Sequence, residues 1–210
     1  MTFLFPALMF LLFIVVFASI FREGLWSNSL LFINTVTSAL LALDMFEPLA
    51  SWLEEMIPSG AYYWDIVSLY VIFALSLFIF RTITGAISRV RVRFFKPVEL
   101  IGGLILSVVN SYVFVCFVMT TLHTAPLERN FLFKGFQLQK RMIMGLAPDR
   151  QFLGFMQKVT GGSLARMVPD DNPNTAEDES ELHLFDPKAT FLPKYAVRRQ
   201  KYSSLTSSSD

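Results

Sequence analysis

Four long segments of the chain contain almost no charged side chains, and short polar segments separate them. They are residues 1–21, 27–43, 62–80 and 100–122, and Asp65 is the one charged residue within them. An α-helix needs about 20 apolar residues to cross the roughly 30 Å hydrocarbon core of a bilayer, whereas strands seldom exceed about 10 residues. The pattern therefore predicts an all-α membrane protein with four transmembrane helices, near residues 2–21, 28–46, 62–81 and 99–122.

The first segment has an alternative interpretation as a cleaved signal peptide. Signal peptides begin with basic residues and continue with an apolar stretch of about 7–15 residues. Here no basic residue precedes Arg22, and the apolar stretch is longer than that. The sequence favours a retained helix.

Beyond residue 125 the pattern becomes that of a soluble polypeptide. Apolar residues in the segment 148–160 follow the helical spacing i, i+3, i+4, i+7, namely Phe152, Phe155, Met156 and Val159. Residues 169–183 contain few apolar side chains, which predicts disorder. We therefore divide the chain into a four-helix transmembrane domain, 1–125, and a polar C-terminal tail, 126–210, that carries one short helix.

Composition supports this division and excludes several classes of protein. The chain is 53% hydrophobic and 17% charged, but residues 1–123 hold only 13 of its 35 charged side chains. A net charge of +1 argues against a nucleic-acid binder held by a basic face. One cysteine, Cys116, excludes a disulfide framework, and two histidines offer little for a metal site. We predict no catalytic residue, no metal and no cofactor.

The distribution of basic residues between the segments predicts the orientation. The loop at 81–97 contains no acidic residue and five basic ones, which are Arg81, Arg89, Arg91, Arg93 and Lys96. In the loop at 44–61, by contrast, all charged residues are acidic. The positive-inside rule places the basic loop in the cytoplasm and both termini outside. Basic residues between 129 and 141 favour the opposite orientation. Arg89, Arg91, Arg93 and Lys96 are also candidate contacts for anionic lipid head groups.

Small residues recur at helical spacing in the fourth predicted helix. Gly103, Ser107 and Ser111 are four residues apart, and Gly102 adjoins the first of them. Small residues at this spacing allow two helices to approach closely in lipid. These four residues are therefore the predicted packing face.

Three polar residues within the predicted helices allow two interpretations. Unpaired amides in hydrocarbon are costly, so Asn34 and Asn110 should face protein or a watery cavity. Asp65, near the end of the third helix, is a functional candidate because acids within membranes are rare. The three residues either join helices or line the polar pore of a small channel or transporter subunit.

Two short motifs link this arrangement to a known family. Arg22-Glu-Gly24 follows the first helix directly, and a basic loop leads into a fourth helix that opens with Gly102-Gly103. With four helices, these features resemble the colicin V production protein family of bacterial inner-membrane proteins over roughly residues 8–125. The chain departs from the family where Ser107 and Ser111 replace repeated glycines and where Glu23 separates Arg22 from Gly24.

The resemblance implies a role in toxin production or export and in envelope homeostasis, without naming a reaction. We expect a non-enzymatic protein of the bacterial inner membrane whose partners are the lipid bilayer and either further copies of itself or an envelope protein, with no nucleic acid. One alternative is the channel or transporter subunit described above. Another is a membrane anchor whose tail binds an envelope component.

Overall fold

The computed structural model describes residues 4–88, 95–125, 147–160 and 191–207. In these ranges the chain forms six α-helices and a short 3-10 turn at Pro58–Gly60, without a strand. The helices are α1 (Leu4–Ile20), α2 (Gly24–Met56), α3 (Trp64–Ile87), α4 (Lys96–Leu122), α5 (Pro148–Thr160) and α6 (Phe191–Ser207). The prediction of an all-α protein is confirmed over the described residues.

Three helices are long and apolar enough to cross a membrane. They are α2, α3 and α4, with 33, 24 and 27 residues, and α1 is a shorter apolar helix of 17 residues. At 1.5 Å per residue, α1 extends about 26 Å, slightly less than a typical hydrocarbon core. That four helices cross the membrane therefore stays a prediction.

Helix α2 is much longer than the segment 28–46 that the sequence predicts. It begins at Gly24 and continues through Pro48 to Met56, and the acidic residues Asp44 and Glu47 lie on its exposed side. Backbone hydrogen bonds do not depend on hydropathy, so a helix continues past the membrane boundary when its charged side chains reach water. For the same reason α3 extends to Ile87 and α4 begins at Lys96.

Helix α2 lies at the centre of the bundle, packed along α3 and α4, and α1 packs on α4. The main core contains residues from α2, α3 and α4, including Leu43, Phe46, Phe73 and Phe117. A smaller cluster joins Phe5 and Met9 of α1 to α4. Successive helices of the bundle run in alternating directions, so their connections lie at two opposite ends. The "basic end" holds Arg22, Arg81 and Lys96, and the "tail end" holds Glu47, Asp65 and His123.

Both described helices of the tail pack on the bundle at its tail end. Phe152 and Met156 of α5 and Phe191 and Tyr195 of α6 belong to the main core cluster. Helix α5 lies where the sequence predicts the short helix, but α6 was not predicted. The predicted disorder at 169–183 lies outside the described residues.

Candidate functional site

The densest group of buried polar contacts lies near the basic end, where the end of α1, the start of α2 and the middle of α4 meet. We call it the Asn28 cluster, and its members are Gly24, Asn28, Gly103, Ser107 and Asn110. Asn28 and Ser107 have no exposed surface, and Gly103 and Asn110 are buried. Its members belong to α2 and α4, and Asn28 also contacts the carbonyl of Ile20 at the end of α1, so this cluster joins three helices.

Two glycines allow α2 and α4 to approach closely. Gly24 has a φ of +80°, which side chains other than glycine rarely adopt. A Cβ atom on Gly103 would lie 3.2 Å from the backbone nitrogen of Leu25 and 3.3 Å from the carbonyl carbon of Gly24. The neighbouring Gly102 faces the Leu25 side chain, whose Cδ1 would lie 2.8 Å from an added Cβ. The backbones are therefore in near contact at Gly103.

The Asn28 amide links all three helices through this crossing. Its Nδ2 donates to the Ser107 hydroxyl and to the carbonyl of Gly24, both at 3.0 Å, and lies 3.3 Å from the Ile20 carbonyl. The carbonyl of Gly103 is a fourth, longer acceptor at 3.5 Å. The amide thus holds the end of α1, the first turns of α2 and the face of α4 together.

Asn110 extends the cluster by one helical turn along α4. Its Nδ2 donates to the backbone carbonyl of Asn28 over 3.0 Å. Ser107 and Ser111 donate to carbonyls of their own helix, those of Gly103 and Ser107. Among the predicted packing residues, Gly103, Ser107 and Ser111 are buried, and Gly102 is half-buried.

The other two predicted polar residues lie elsewhere. Asn34 donates to the hydroxyl of Thr84 over 2.9 Å and so joins α2 to α3. Asp65 lies in the first turn of α3 at the tail end, where its carboxylate is 2.5 Å from the Arg198 guanidinium. The structure therefore brings Asn110 to the packing face and places Asn34, Asn110 and Asp65 in three separate contacts within one chain.

A second group of contacts joins α6 to the tail end. Arg198 pairs with Asp65, donates to the carbonyl of Ala61 over 2.7 Å, and lies over the Tyr62 ring. Lys194 pairs with Glu47 at 2.6 Å. We call these contacts, with the edge-on packing of Phe191 against Phe46, the α6 docking site.

Helix α5 is attached by a buried pair at the end of α4. The ring nitrogen Nε2 of His123 lies 3.1 Å from Oδ2 of Asp149, and both side chains are almost fully buried. Burial lowers the pKa of His123, against the opposing effect of Asp149. Burial is the largest single influence on Asp149 and opposes its ionisation, but the hydrogen bond and charge of His123, together with Arg150, outweigh it and lower the pKa of that carboxyl. A neutral imidazole that donates to a carboxylate is consistent with both directions.

The basic residues and the short motif lie around the basic end. Arg22 lies over the Phe21 ring, Arg81 is 3.6 Å from Glu23, and Lys96 is exposed at the start of α4. Arg89, Arg91 and Arg93 lie outside the described residues. Gly24, the second member of the Arg22 motif, belongs to the Asn28 cluster.

Sequence reasoning missed Asn28 and Arg198. Asn28 stood at the predicted start of the second helix, where a polar residue has an ordinary explanation at the membrane surface. Its position four residues after Gly24 was the available signal, because that spacing places both on one helix face. Nothing in the sequence pairs Arg198 with Asp65. In the part of the chain that the structure describes, no three His, Cys, Asp or Glu residues are grouped as metal ligands.

A comparison with known protein families supports the sequence resemblance. The model of the family described as Colicin V production protein matches residues 7–147, more than half of the chain. The match begins within the first turn of α1, includes α2, α3 and α4, and ends at the residue before α5. No curated protein and no solved structure matches the chain.

Proposed function

The chain belongs to the colicin V production protein family, and from this premise we propose that it is a non-enzymatic scaffold that supports toxin production or secretion and envelope homeostasis. The family and the apolar helices make it a multi-pass membrane protein linked to colicin production. The bacterial inner membrane is the proposed location. A further copy of the chain or an envelope protein is the proposed partner.

The Asn28 cluster is the observation that supports a scaffold. Its amide groups are used to hold helices together, with Asn28 contacting Ser107 and Asn110 contacting the Asn28 backbone. Because van der Waals packing and hydrogen bonds drive helix association in lipid, such a cluster gives a membrane protein a fixed shape. A fixed surface is what a scaffold presents to a partner.

Complementation tests this function. A toxin-secreting bacterium that lacks its own family member should regain secreted toxin and resistance to envelope stress when it expresses this chain. Asn28→Leu should reduce both, whereas Ile33→Leu, on an exposed position of the same helix, should not. No recovery with the well-expressed wild-type chain would contradict the proposal.

A small channel or transporter subunit is the second candidate, because two buried oxygens favour it. Within the described residues, Oδ1 of Asn28 and Oδ1 of Asn110 have no hydrogen-bond partner. Water or a second copy of the chain could supply one in an oligomeric pore. Conductance in reconstituted bilayers that Asn110→Leu alters and Val109→Leu leaves unchanged supports the channel. Electrical silence, with a partner recovered by crosslinking through the tail, supports the scaffold.

We also propose that both termini lie outside the cytoplasm, as the basic loop at 81–97 predicts. A reporter that is active only in the periplasm, fused after residue 210, should be active. Activity of a cytoplasmic reporter at that position would reverse the orientation.

A further inference from the structure

One stripe of the surface of helix α6 carries two buried aromatic side chains and the ion pairs with Glu47 and Asp65. The stripe consists of Phe191, Lys194, Tyr195 and Arg198, which follow the spacing i, i+3, i+4, i+7 of a single helix face. Phe191 and Tyr195 are 5% and 1% exposed, whereas Val197, on the opposite face, is 65% exposed. The bundle therefore recognises a linear pattern of side chains on one helix.

The surface beneath the stripe is complementary to it in shape and charge. Phe46 receives Phe191 edge-on, and Glu47 receives Lys194. Asp65 receives Arg198, whose second terminal nitrogen donates to the Ala61 carbonyl, so both ends of the guanidinium are bound. Two acids and an aromatic side chain arranged in this way form a surface, here called the groove, that matches a basic helix with aromatic side chains on the same face.

The attachment of α6 is of a kind that can be exchanged. The pair between Lys194 and Glu47 is more than half exposed on both sides, and exposed pairs contribute little. The apolar contact comes from Phe191 and Tyr195, with Leu192 packed beside them. Thirty residues separate Thr160 from Phe191 in the sequence, and α6 is part of the same chain, so it occupies the groove as an intramolecular ligand.

We propose that the α6 docking site is a receptor for a basic helix of a partner protein, and that α6 is its resident occupant in the same chain. The partner helix carries an aromatic residue, a lysine, a second aromatic residue and an arginine at the positions equivalent to 191, 194, 195 and 198. It displaces α6 when it binds. This inference rests on the proposed scaffold function, since it names the surface through which the scaffold meets a partner.

A peptide with the chain's own sequence from 188 to 207 is a suitable probe. The full-length chain is reconstituted in phosphatidylcholine nanodiscs, and binding of the labelled peptide is followed by fluorescence anisotropy, with empty nanodiscs as the blank. The wild-type chain should bind weakly, because α6 occupies the groove. Tyr195→Ala in the chain weakens that occupant and should tighten the apparent Kd by about tenfold. Val197→Ala, on the exposed face of α6, should leave the Kd at the wild-type value.

Substitutions in the chain and in the peptide test the groove itself. In the Tyr195→Ala chain, adding Asp65→Asn should weaken peptide binding by about tenfold, because it removes the negative charge that pairs with Arg198. A peptide with Arg198→Ala should bind equally well to chains with and without Asp65→Asn, because the two groups act as one pair. Glu47→Lys in the chain should be compensated by Lys194→Glu in the peptide.

Two results would overturn the proposal. One is a Tyr195→Ala chain that binds the peptide no better than the wild-type chain, with Arg198→Glu as a second displaced variant giving the same result. The other is peptide binding that does not depend on Asp65. Neither result involves toxin secretion, so failure here is distinguishable from failure of the complementation test.

Discussion

The Asn28 cluster and the α6 docking site both bury polar groups, but they do so in different ways. The Asn28 cluster uses neutral amides and hydroxyls between long helices whose backbones nearly touch at Gly103. The docking site uses charged pairs, and Arg198 meets a carbonyl 137 positions earlier in the chain. Neutral hydrogen bonds between closely packed helices suit a permanent junction. Ion pairs at the end of the bundle suit a contact that is made and broken.

Gly103→Leu should have the largest effect, since it separates two backbones that are in near contact. Overpacking commonly costs about 1–3 kcal/mol, and a clash with backbone atoms of Gly24 and Leu25 puts this variant at about 3 kcal/mol. Unfolding in detergent, followed by circular dichroism, measures it. The matched control is Gly85→Leu, because an added Cβ there meets nothing within 4 Å. If the protein tolerates the two substitutions equally, close packing at Gly103 does not make the Asn28 cluster a permanent junction.

Asn28→Ala should come next, with a loss of about 1–2 kcal/mol, because one amide serves several acceptors. A double-mutant cycle with Ser107→Ala isolates the contact between α2 and α4, and we expect a coupling of about 1 kcal/mol. Ser29→Ala is the control, because the hydroxyl of Ser29 donates to the Leu25 carbonyl within its own helix. Coupling near zero would mean that close packing alone holds the junction.

Arg198→Ala should leave the bundle folded and release α6. It removes the partner of Asp65, a carboxylate only 8% exposed, at a cost of about 1–2 kcal/mol. Lys194→Ala breaks an exposed pair and should cost less than about 1 kcal/mol. Hydrogen exchange of amides in residues 191–201 should accelerate strongly in the first variant and slightly in the second. Global unfolding in the first variant would make the docking site as permanent as the Asn28 cluster.

Acidification should have the smallest effect, and it should act on α5. The pKa of His123 lies below its ordinary 6.5 in the folded protein, and that of Asp149 lies below 3.8. Depressed values mean that both groups contribute stability above their unfolded pKa values and lose it as the pH falls through the folded ones. Loosening of α5 should therefore begin below pH 6.5 and increase below pH 3.8.

Alkylation of Cys116 reports this loosening. It is the single cysteine, 3% exposed, and belongs to the same core cluster as Phe152 of α5. Its rate should rise as the pH falls, after correction for the thiol's own reactivity with an unfolded reference. His123→Gln should flatten the part of the profile between pH 6.5 and 3.8. A rate that falls with acid would reverse the sign we expect.

Much of the Asn28 cluster was visible in the sequence. The spacing of Gly103, Ser107 and Ser111 defines a helix face by geometry alone, and Asn110 needed a partner because amides are costly in hydrocarbon. Asn28 itself was not identified, since a polar residue at a predicted helix start has an ordinary explanation. The α6 docking site was invisible, because the pairing of Asp65 with Arg198 depends on how the tail folds back. The spacing of residues within one segment does not show where the tail packs on the bundle.

The sequence by itself determined that the chain is helical, that its first part belongs in a membrane, and that one face of α4 is built from small residues. These follow from local rules, because helix length and helix faces depend only on neighbouring positions. The tertiary structure decided which groups meet. It separated Asn34, Asn110 and Asp65 into three contacts and placed α6 on an acidic groove. Contacts between distant segments depend on packing and charge complementarity summed over the whole chain, which no single segment contains.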